Sequence, residues 1–311
     1  MKRILLISTN AIGDTYIVCS AFLPLKELFP DSKIDIVSLE SSQFFLKKIR
    51  FNKLFLLKEK SYSEVVKYLR KIRQNKYDLV FNFFPGQVNS FFFQFSSAVK
   101  KAGFRNLKKV KDWHDEDDAV TTIPGKSDSK FIWKKTDNFL LRIQLPLNAA
   151  GIEISELKKP IIETTSSTEN NHDIILHPFS SDERKSIPTQ KISEILTKLS
   201  ENLSKKVCLI GNADEIKPYK SLNSNPNITY IEYPEIEETI DIMKNASLFI
   251  GVDSFPLHIA DAHSIKTLGI FTCTNENSVL QDMENKFIFR IKDMDRFKSS
   301  DLIDFMKNNN L

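Results

Sequence analysis

Two α/β domains, each built on a parallel sheet, are the fold class this chain predicts, and three observations predict it. Short apolar runs alternate with segments of helical period through both halves, the pattern of parallel sheets flanked by helices. The chain has 311 residues, beyond the size at which a single core usually stops growing. Between the halves lies a polar stretch, 159–171, rich in Glu, Thr and Ser at its centre, which reads as a linker or exposed loop.

In the first half, apolar runs predict strands at 3–7, 33–37, 53–57 and 79–82, with a shorter one at 101–104 closing the sheet. Helices are expected over 14–29, opened by the acidic Asp14 and closed by Pro30, and over 62–74 and 88–99. Residues 105–135 break the pattern. Arg105, Lys108, Lys109 and Lys111 give way to Asp115, Glu116, Asp117 and Asp118, which predicts a loop-rich insertion: either solvated surface or a basic lining for an anionic acceptor. The second half predicts strands at 173–177, 206–210, 228–231, 247–250, 266–271 and 287–291. Its helices should cover 191–202, 214–222, 236–245 and 256–262, with a last one at 300–307.

Composition limits the function classes. Hydrophobic residues make up 41% and charged residues 27%, the balance of a soluble globular protein. A net charge of +4, from 44 basic and 40 acidic residues, is too small to argue for nucleic acid as a partner. No apolar run reaches membrane-span length, and the run after Lys2 and Arg3 is too short for a signal-peptide core, so a cytoplasmic location is expected. Cys19, Cys208 and Cys273 lie far apart, with no Cys-x-x-Cys or Cys/His cluster; they read as reduced core thiols rather than zinc ligands.

The most informative stretch is 248–263. An apolar run breaks at Gly251, then Asp253, Ser254 and Pro256 open a helix that carries His258. The N–H groups and positive dipole end of such a helix suit a phosphate or diphosphate; an ordinary capped turn fits the same residues. The loop 8–14 holds one glycine, Gly13, and no Gly-x-Gly-x-x-Gly fingerprint, which disfavours dinucleotide binding. Its Asp14 either caps the following helix or serves as a general base, kept ionised by the dipole. In the loop 177–188, Ser180, Ser181 and Lys185 combine hydroxyls with a mobile positive charge, suited to a phosphate-bearing leaving group or to a solvated turn. Gly211 with Asp214 and Glu215, and the loop 232–235, lie on the same strand-end edge. In open parallel sheets these edges hold ligands, which places a cleft between the halves.

Together these loops resemble glycosyltransferase family nine, the heptosyltransferases. Ile12-Gly13-Asp14, with Ala21 to Phe29 and Pro30, looks like the family's Leu-Gly-Asp element and the helix after it. Gly251-Val252-Asp253-Ser254, then Pro256-Leu257-His258 and Ala260, is similar to its Gly-Val-Asp-Ser-Gly-Pro-Met-His-Leu-Ala motif. Lys185-Ser186-Ile187-Pro188 resembles Lys-x-Trp-Pro, and 174–181 its hydrophobic-Pro-Gly-Ala-Ser run.

The resemblance implies a GT-B fold of two Rossmann-like domains facing a central cleft. An acceptor domain would span 1–158, a nucleotide-sugar domain 172–296, and a C-terminal helix in 297–311 could pack back across the cleft. It further implies an inverting, metal-independent transfer with Asp14 as base and Lys185 at the leaving group. Ser180, Ser181, Gly211, Asp253, Ser254 and His258 would bind the donor, a nucleotide sugar such as ADP-heptose, and no cofactor is needed. Asn10, Gly13, Arg105 and Lys108 would meet an anionic, lipid-linked saccharide of the lipopolysaccharide core, with peripheral contact at the inner membrane face. Phe255 and Phe179 stand where glycines are usual and Ile187 where tryptophan is, and 232–235 replaces a Gly-Lys-Thr-Ser-like loop. These departures leave a different nucleotide sugar or acceptor, or a non-catalytic nucleotide-sugar-binding protein, as alternatives.

Overall fold

Arg3–Ser8 forms β1 in the computed structural model, and every residue of it after Arg3 is buried, as an apolar strand between parallel neighbours must be. The structure describes residues 1–104, 117–122, 129–133, 138–164, 172–220, 225–281, 283–294 and 296–311. It divides into two units, Met1–Ile162 and Glu163–Leu311.

In the first unit β1 is followed by β2 (Lys33–Leu39), β3 (Lys53–Leu57), β4 (Tyr77–Asn82), β5 (Ala98–Phe104), β6 (Asp117–Thr122) and β7 (Ser129–Trp133). The sheet order is β3-β2-β1-β4-β5-β6-β7. Strands β1 to β5 run parallel, and β6 and β7 are antiparallel. The helices are α1 (Ile12–Val18), α2 (Phe22–Leu28), α3 (Gln43–Leu46), α4 (Tyr62–Arg73), α5 (Gln87–Phe95) and α6 (Phe139–Ala149). Leu5, Ile7, Val37, Leu57, Ile72, Val80 and Phe92 are among the residues of the core on one face of this sheet.

Three expectations for this half are corrected. The helix expected over 14–29 is split by a 3₁₀ turn at Cys19–Ala21, and α2 restarts with Pro24 in its first turn. Proline has no N–H to continue the helical ladder and fits only a first turn, so Pro24 accounts for the restart. The expected loop-rich insertion instead carries β6 and β7, so the sheet does not end at β5. Their short β-branched and aromatic runs, Val120-Thr121-Thr122 and Phe131-Ile132-Trp133, are strand formers hidden among blocks of charge. Helix α6 was not anticipated; Pro146 interrupts a pattern in which Leu140, Ile143 and Leu147 are buried on one face. Strand β5 needs Gly103: a Cβ there would sit 2.1 Å from the backbone oxygen of Asn82.

The polar stretch is also tighter at its start than a linker. Lys159 and Ile162 are buried, and the Pro160 carbonyl accepts from the Tyr16 hydroxyl of α1.

The second unit holds β8 (Ile174–His177), β9 (Val207–Gly211), β10 (Ile228–Glu232), β11 (Leu248–Val252), β12 (Thr267–Phe271) and β13 (Lys286–Arg290). All are parallel, in the order β10-β9-β8-β11-β12-β13. Between them run α7 (Thr189–Asn202), α8 (Ala213–Lys220), α9 (Ile236–Lys244), α10 (Phe255–Ala262) and α11 (Glu276–Val279). The last helix, α12 (Ser299–Asn308), packs on α7 of its own unit, where Ser299 donates to Glu194 at 2.8 Å. Among the described residues no helix is long and apolar enough to cross a membrane.

Both sheets reverse their strand order once, at β1/β4 and at β8/β11. The crevice outside the carboxyl ends of strands at such a switch is where open α/β sheets bind ligands.

Candidate active site

At the first switch point, β1 exits through Thr9 and Asn10 into α1, and β4 exits through 83–86 into α5. Asn89, wholly buried on α5, ties the two exits together. Its Oδ1 accepts from the Thr9 amide at 2.8 Å and the Thr9 hydroxyl at 2.6 Å. Its Nδ2 donates to Asn10 Oδ1 at 3.2 Å and to the Phe84 carbonyl at 3.1 Å. Asn10 in turn donates to the Pro85 carbonyl at 3.0 Å. Every bond is between neutral groups.

This network fixes the loop that presents Asp14. The Asp14 carboxylate, 9% exposed, accepts from the Ala11 N–H at 3.3 Å, so the capping role is realised. Gly13 lies half-buried beside it. Lys60, in the loop after β3, keeps much of its side chain in solvent. Desolvation still lowers its ammonium pKa, with the Asp14 charge pulling the other way, so a cation stands within electrostatic reach of the carboxylate. Arg105 and Lys108 lie outside the described residues.

At the second switch point the loop after β8 is wound by its own polar side chains. Ser186 Oγ accepts from the Ser180 amide at 2.8 Å and donates to the Ser180 carbonyl at 3.0 Å. The Lys185 amide closes a turn onto the Asp182 carbonyl at 2.9 Å. The winding aims Lys185 at the start of α10, where its Nζ donates to Asp253 Oδ2 at 2.6 Å. Asp253 is nearly buried, which works to raise its carboxyl pKa. The charges of Lys185 and His258 and the hydrogen bonds from Lys185 and Thr274 outweigh burial, so the group stays below the usual carboxylate range. Thr272 donates to the Arg184 carbonyl at 2.7 Å, joining the loop after β12 to the same cluster. Ser180 donates to the Asp253 carbonyl at 3.4 Å, and Ser181 is exposed at the rim.

Ser254 is the N-cap of α10 but makes no side-chain cap bond; its Oγ lies 3.2 Å from the Val252 carbonyl and 3.1 Å from His177 Nδ1. The other ring nitrogen of His177 is hydrogen-bonded to the Tyr233 hydroxyl. Burial lowers the His177 pKa to about 3, so the imidazole is neutral.

Two of the bulky departures turn into the core. Phe179 is buried against Gly211, where a Cβ would approach its ring to 2.9 Å, and it packs edge-on to His177. Ile187 is buried in the same cluster. Gly211 thus makes room for Phe179, and Phe255 is half-buried at the first turn of α10.

Lys185, Ser180, Asp253, Ser254 and His258 are therefore brought together in one unit, and Asp14, Asn10 and Gly13 in the other. Asn89, Lys60, Thr274, His177 and Tyr233 were not singled out from the sequence. The signals for Asn89 and His177 were slight: a polar residue just inside a helix start, and an imidazole at a strand's end. Cys273, expected in the core, is only half-buried, beside Thr272 and Thr274. Among the described residues no group of three or more His, Cys, Asp or Glu side chains is placed to hold a metal ion.

Comparisons with known proteins identify the family and the fold. The family model for glycosyltransferase family 9 (heptosyltransferase) matches residues 65–301. A lipopolysaccharide heptosyltransferase 1 from Campylobacter coli is 28% identical over 159 residues, 48% of this chain and 46% of that protein, so the match spans about half of the relative's length. Among solved structures, a family 9 glycosyl transferase from Veillonella parvula superposes with a TM-score of 0.75 at 14% identity, covering 99% of this chain and 96% of that one. E. coli heptosyltransferase WaaC, solved with ADP, gives 0.71 at 13% identity, covering 99% of both chains. At these identities the likeness is one of fold, the GT-B fold of two parallel-sheet α/β domains. With the family model covering most of its length, the chain belongs to glycosyltransferase family 9, the heptosyltransferase family.

Proposed function

We propose that this protein is an inverting, metal-independent glycosyltransferase that moves heptose from an ADP-linked donor to an anionic, lipid-linked saccharide of the lipopolysaccharide core. The observation that carries the reading is the Lys185–Asp253 pair at the second switch point, beside the opening of α10. A nearly buried carboxylate holds an ammonium beside the positive dipole end of α10, which is an environment suited to a diphosphate. The names of relatives support the donor and pathway: one is a lipopolysaccharide heptosyltransferase and another was solved with ADP.

In this reading an acceptor hydroxyl attacks the anomeric carbon from the face opposite the leaving group. The new C–O bond forms as the bond to the diphosphate oxygen breaks, its electron pair leaving with the nucleoside diphosphate. Asp14 takes the hydroxyl proton, and its short reach to Ala11 keeps it fixed during the transfer. Lys185 and the positive dipole end of α10 meet the charge that develops on the departing oxygen. An ammonium has three donors, so contact with Asp253 is compatible with contact to phosphate. His258 adds positive potential at the same end of the helix. Lys60 would meet an anionic group of the acceptor, and the lipid anchor of that acceptor would bring the enzyme to the cytoplasmic face of the inner membrane.

The test is turnover of ADP-heptose by purified protein with a core acceptor, with and without EDTA. Release of ADP that EDTA leaves unchanged is expected. A thermal-shift screen with ADP, UDP, GDP and CDP sugars checks the nucleotide, since a ligand bound only by the folded state raises Tm. Stabilisation by a non-adenine nucleotide sugar alone would overturn the donor assignment.

A further inference from the structure

We propose that Tyr233 is a positioning residue for the donor diphosphate, acting through His177 to hold the Ser254 hydroxyl in the orientation that can donate to phosphate; this rests on the reading of the α10 opening as the diphosphate site. Three loops converge here, with His177 at the end of β8, Tyr233 after β10 and Ser254 after β11. His177 is 3% exposed and both of its ring nitrogens are engaged, Nδ1 with Ser254 Oγ at 3.1 Å and Nε2 with the Tyr233 hydroxyl. Tyr233 is 41% exposed, but its hydroxyl is turned inward, and its amide donates to the Gly211 carbonyl at 3.0 Å, which fixes the loop.

A neutral imidazole has one N–H and one bare nitrogen, and its neighbours decide which is which. A phenol is a better donor and a poorer acceptor than imidazole, so Tyr233 donates to Nε2. The ring proton then sits on Nδ1 and is donated to Ser254 Oγ. The single Ser254 proton goes to the Val252 carbonyl at 3.2 Å. Phosphate oxygens only accept. With Nδ1 protonated, Ser254 needs to leave only that one carbonyl in order to donate to a diphosphate, and it keeps its bond from His177. In the opposite tautomer the bare Nδ1 would compete with phosphate for the same hydroxyl proton. Tyr233 removes the competitor without touching the ligand. The loop that replaces the family's Gly-Lys-Thr-Ser-like one thus contributes an indirect contact to the donor site.

The experiment is ADP binding by calorimetry to wild type, Tyr233→Phe, Ser254→Ala and the double variant, with nitrogen NMR of His177 in the ligand-free protein. Tyr233→Phe should weaken ADP binding about fivefold to tenfold, the size of one lost hydrogen-bond preference, with kcat changed less than the donor KM. In the Ser254→Ala background the same change should have no further effect. The NMR should report a protonated Nδ1 and a bare Nε2. Equal losses in both backgrounds, or a protonated Nε2, would overturn the proposal while leaving the diphosphate reading intact. A Ser254→Ala variant that binds ADP as wild type does would overturn both. Thermal midpoints of the variants identify any loss that comes from misfolding.

Discussion

The two switch-point sites are built from opposite materials. At β1/β4 the groups that fix the loop are neutral: the Asn89 amide, the Thr9 amide and hydroxyl, the Asn10 amide and two backbone carbonyls. At β8/β11 the central contact is a charged pair, Lys185 with Asp253, supported by His258. The difference follows from the work proposed for each. A base must be held still without being neutralised, and neutral hydrogen bonds do that. A site for a departing diphosphate must carry positive charge, and before the ligand arrives that charge needs a partner of its own. Asp253 is that resting partner.

Substitutions that exchange one character for the other should break the comparison. Lys185→Met should have the largest effect, lowering turnover about 10²- to 10³-fold as a transition-state donor is lost, measured as initial rates of ADP release. It also strands the nearly buried Asp253, at about 3 kcal/mol in urea unfolding. Adding Asp253→Asn should recover most of that stability and none of the turnover. Asn89→Leu should come next: it leaves the Thr9 donors and the Phe84 carbonyl without their partner, destabilising by about 2–3 kcal/mol. Its kcat should fall with little change in ADP binding, because only the first site moves.

A pH series sharpens the contrast further. The His177 pKa is lowered from 6.5 to about 3 by burial, so the unfolded chain binds a proton that the folded one refuses. Stability is therefore lost as pH falls below 6.5, by about 1.4 kcal/mol per pH unit for this residue, until about pH 3 is reached. His263, lowered to about 4, adds a second contribution over part of that range. His177→Gln should flatten the slope between about pH 6 and pH 5 by the first amount, checked by urea midpoints. The smallest effect is expected for Arg184→Ala. Its pair with Asp182 at 2.7 Å is largely in solvent, with the Arg184 side chain 60% exposed, and its loss should move stability by less than about 0.5 kcal/mol.

The fold was legible where one local rule decided the outcome. Apolar runs such as those of β1 and β11 can sit only inside a parallel sheet, and their strands fall within a few residues of expectation. Legibility failed where two rules competed. Pro24 sits within an otherwise helical pattern, charge blocks surround β6 and β7, and Pro146 obscures α6. For the site, the loops after β1, β8, β9, β10 and β11 could be read, because glycine, proline and cap residues mark them. Their pairings could not. Lys185 and Asp253 lie 68 positions apart and His177 and Tyr233 lie 56 apart, and only the order of strands brings each pair together. Phe179 shows the converse. A phenylalanine in a glycine's place suggests an obstruction at the phosphate, yet the ring is buried over Gly211.

The division of labour between the two sites is tested most directly by measuring ADP affinity and ADP-heptose turnover side by side for Asp14→Asn and Lys185→Met. Asp14→Asn should bind ADP as tightly as wild type and lose about 10²- to 10⁴-fold in turnover, while Lys185→Met should lose both. Wild-type turnover by Asp14→Asn, or unimpaired ADP binding by Lys185→Met, would contradict the account.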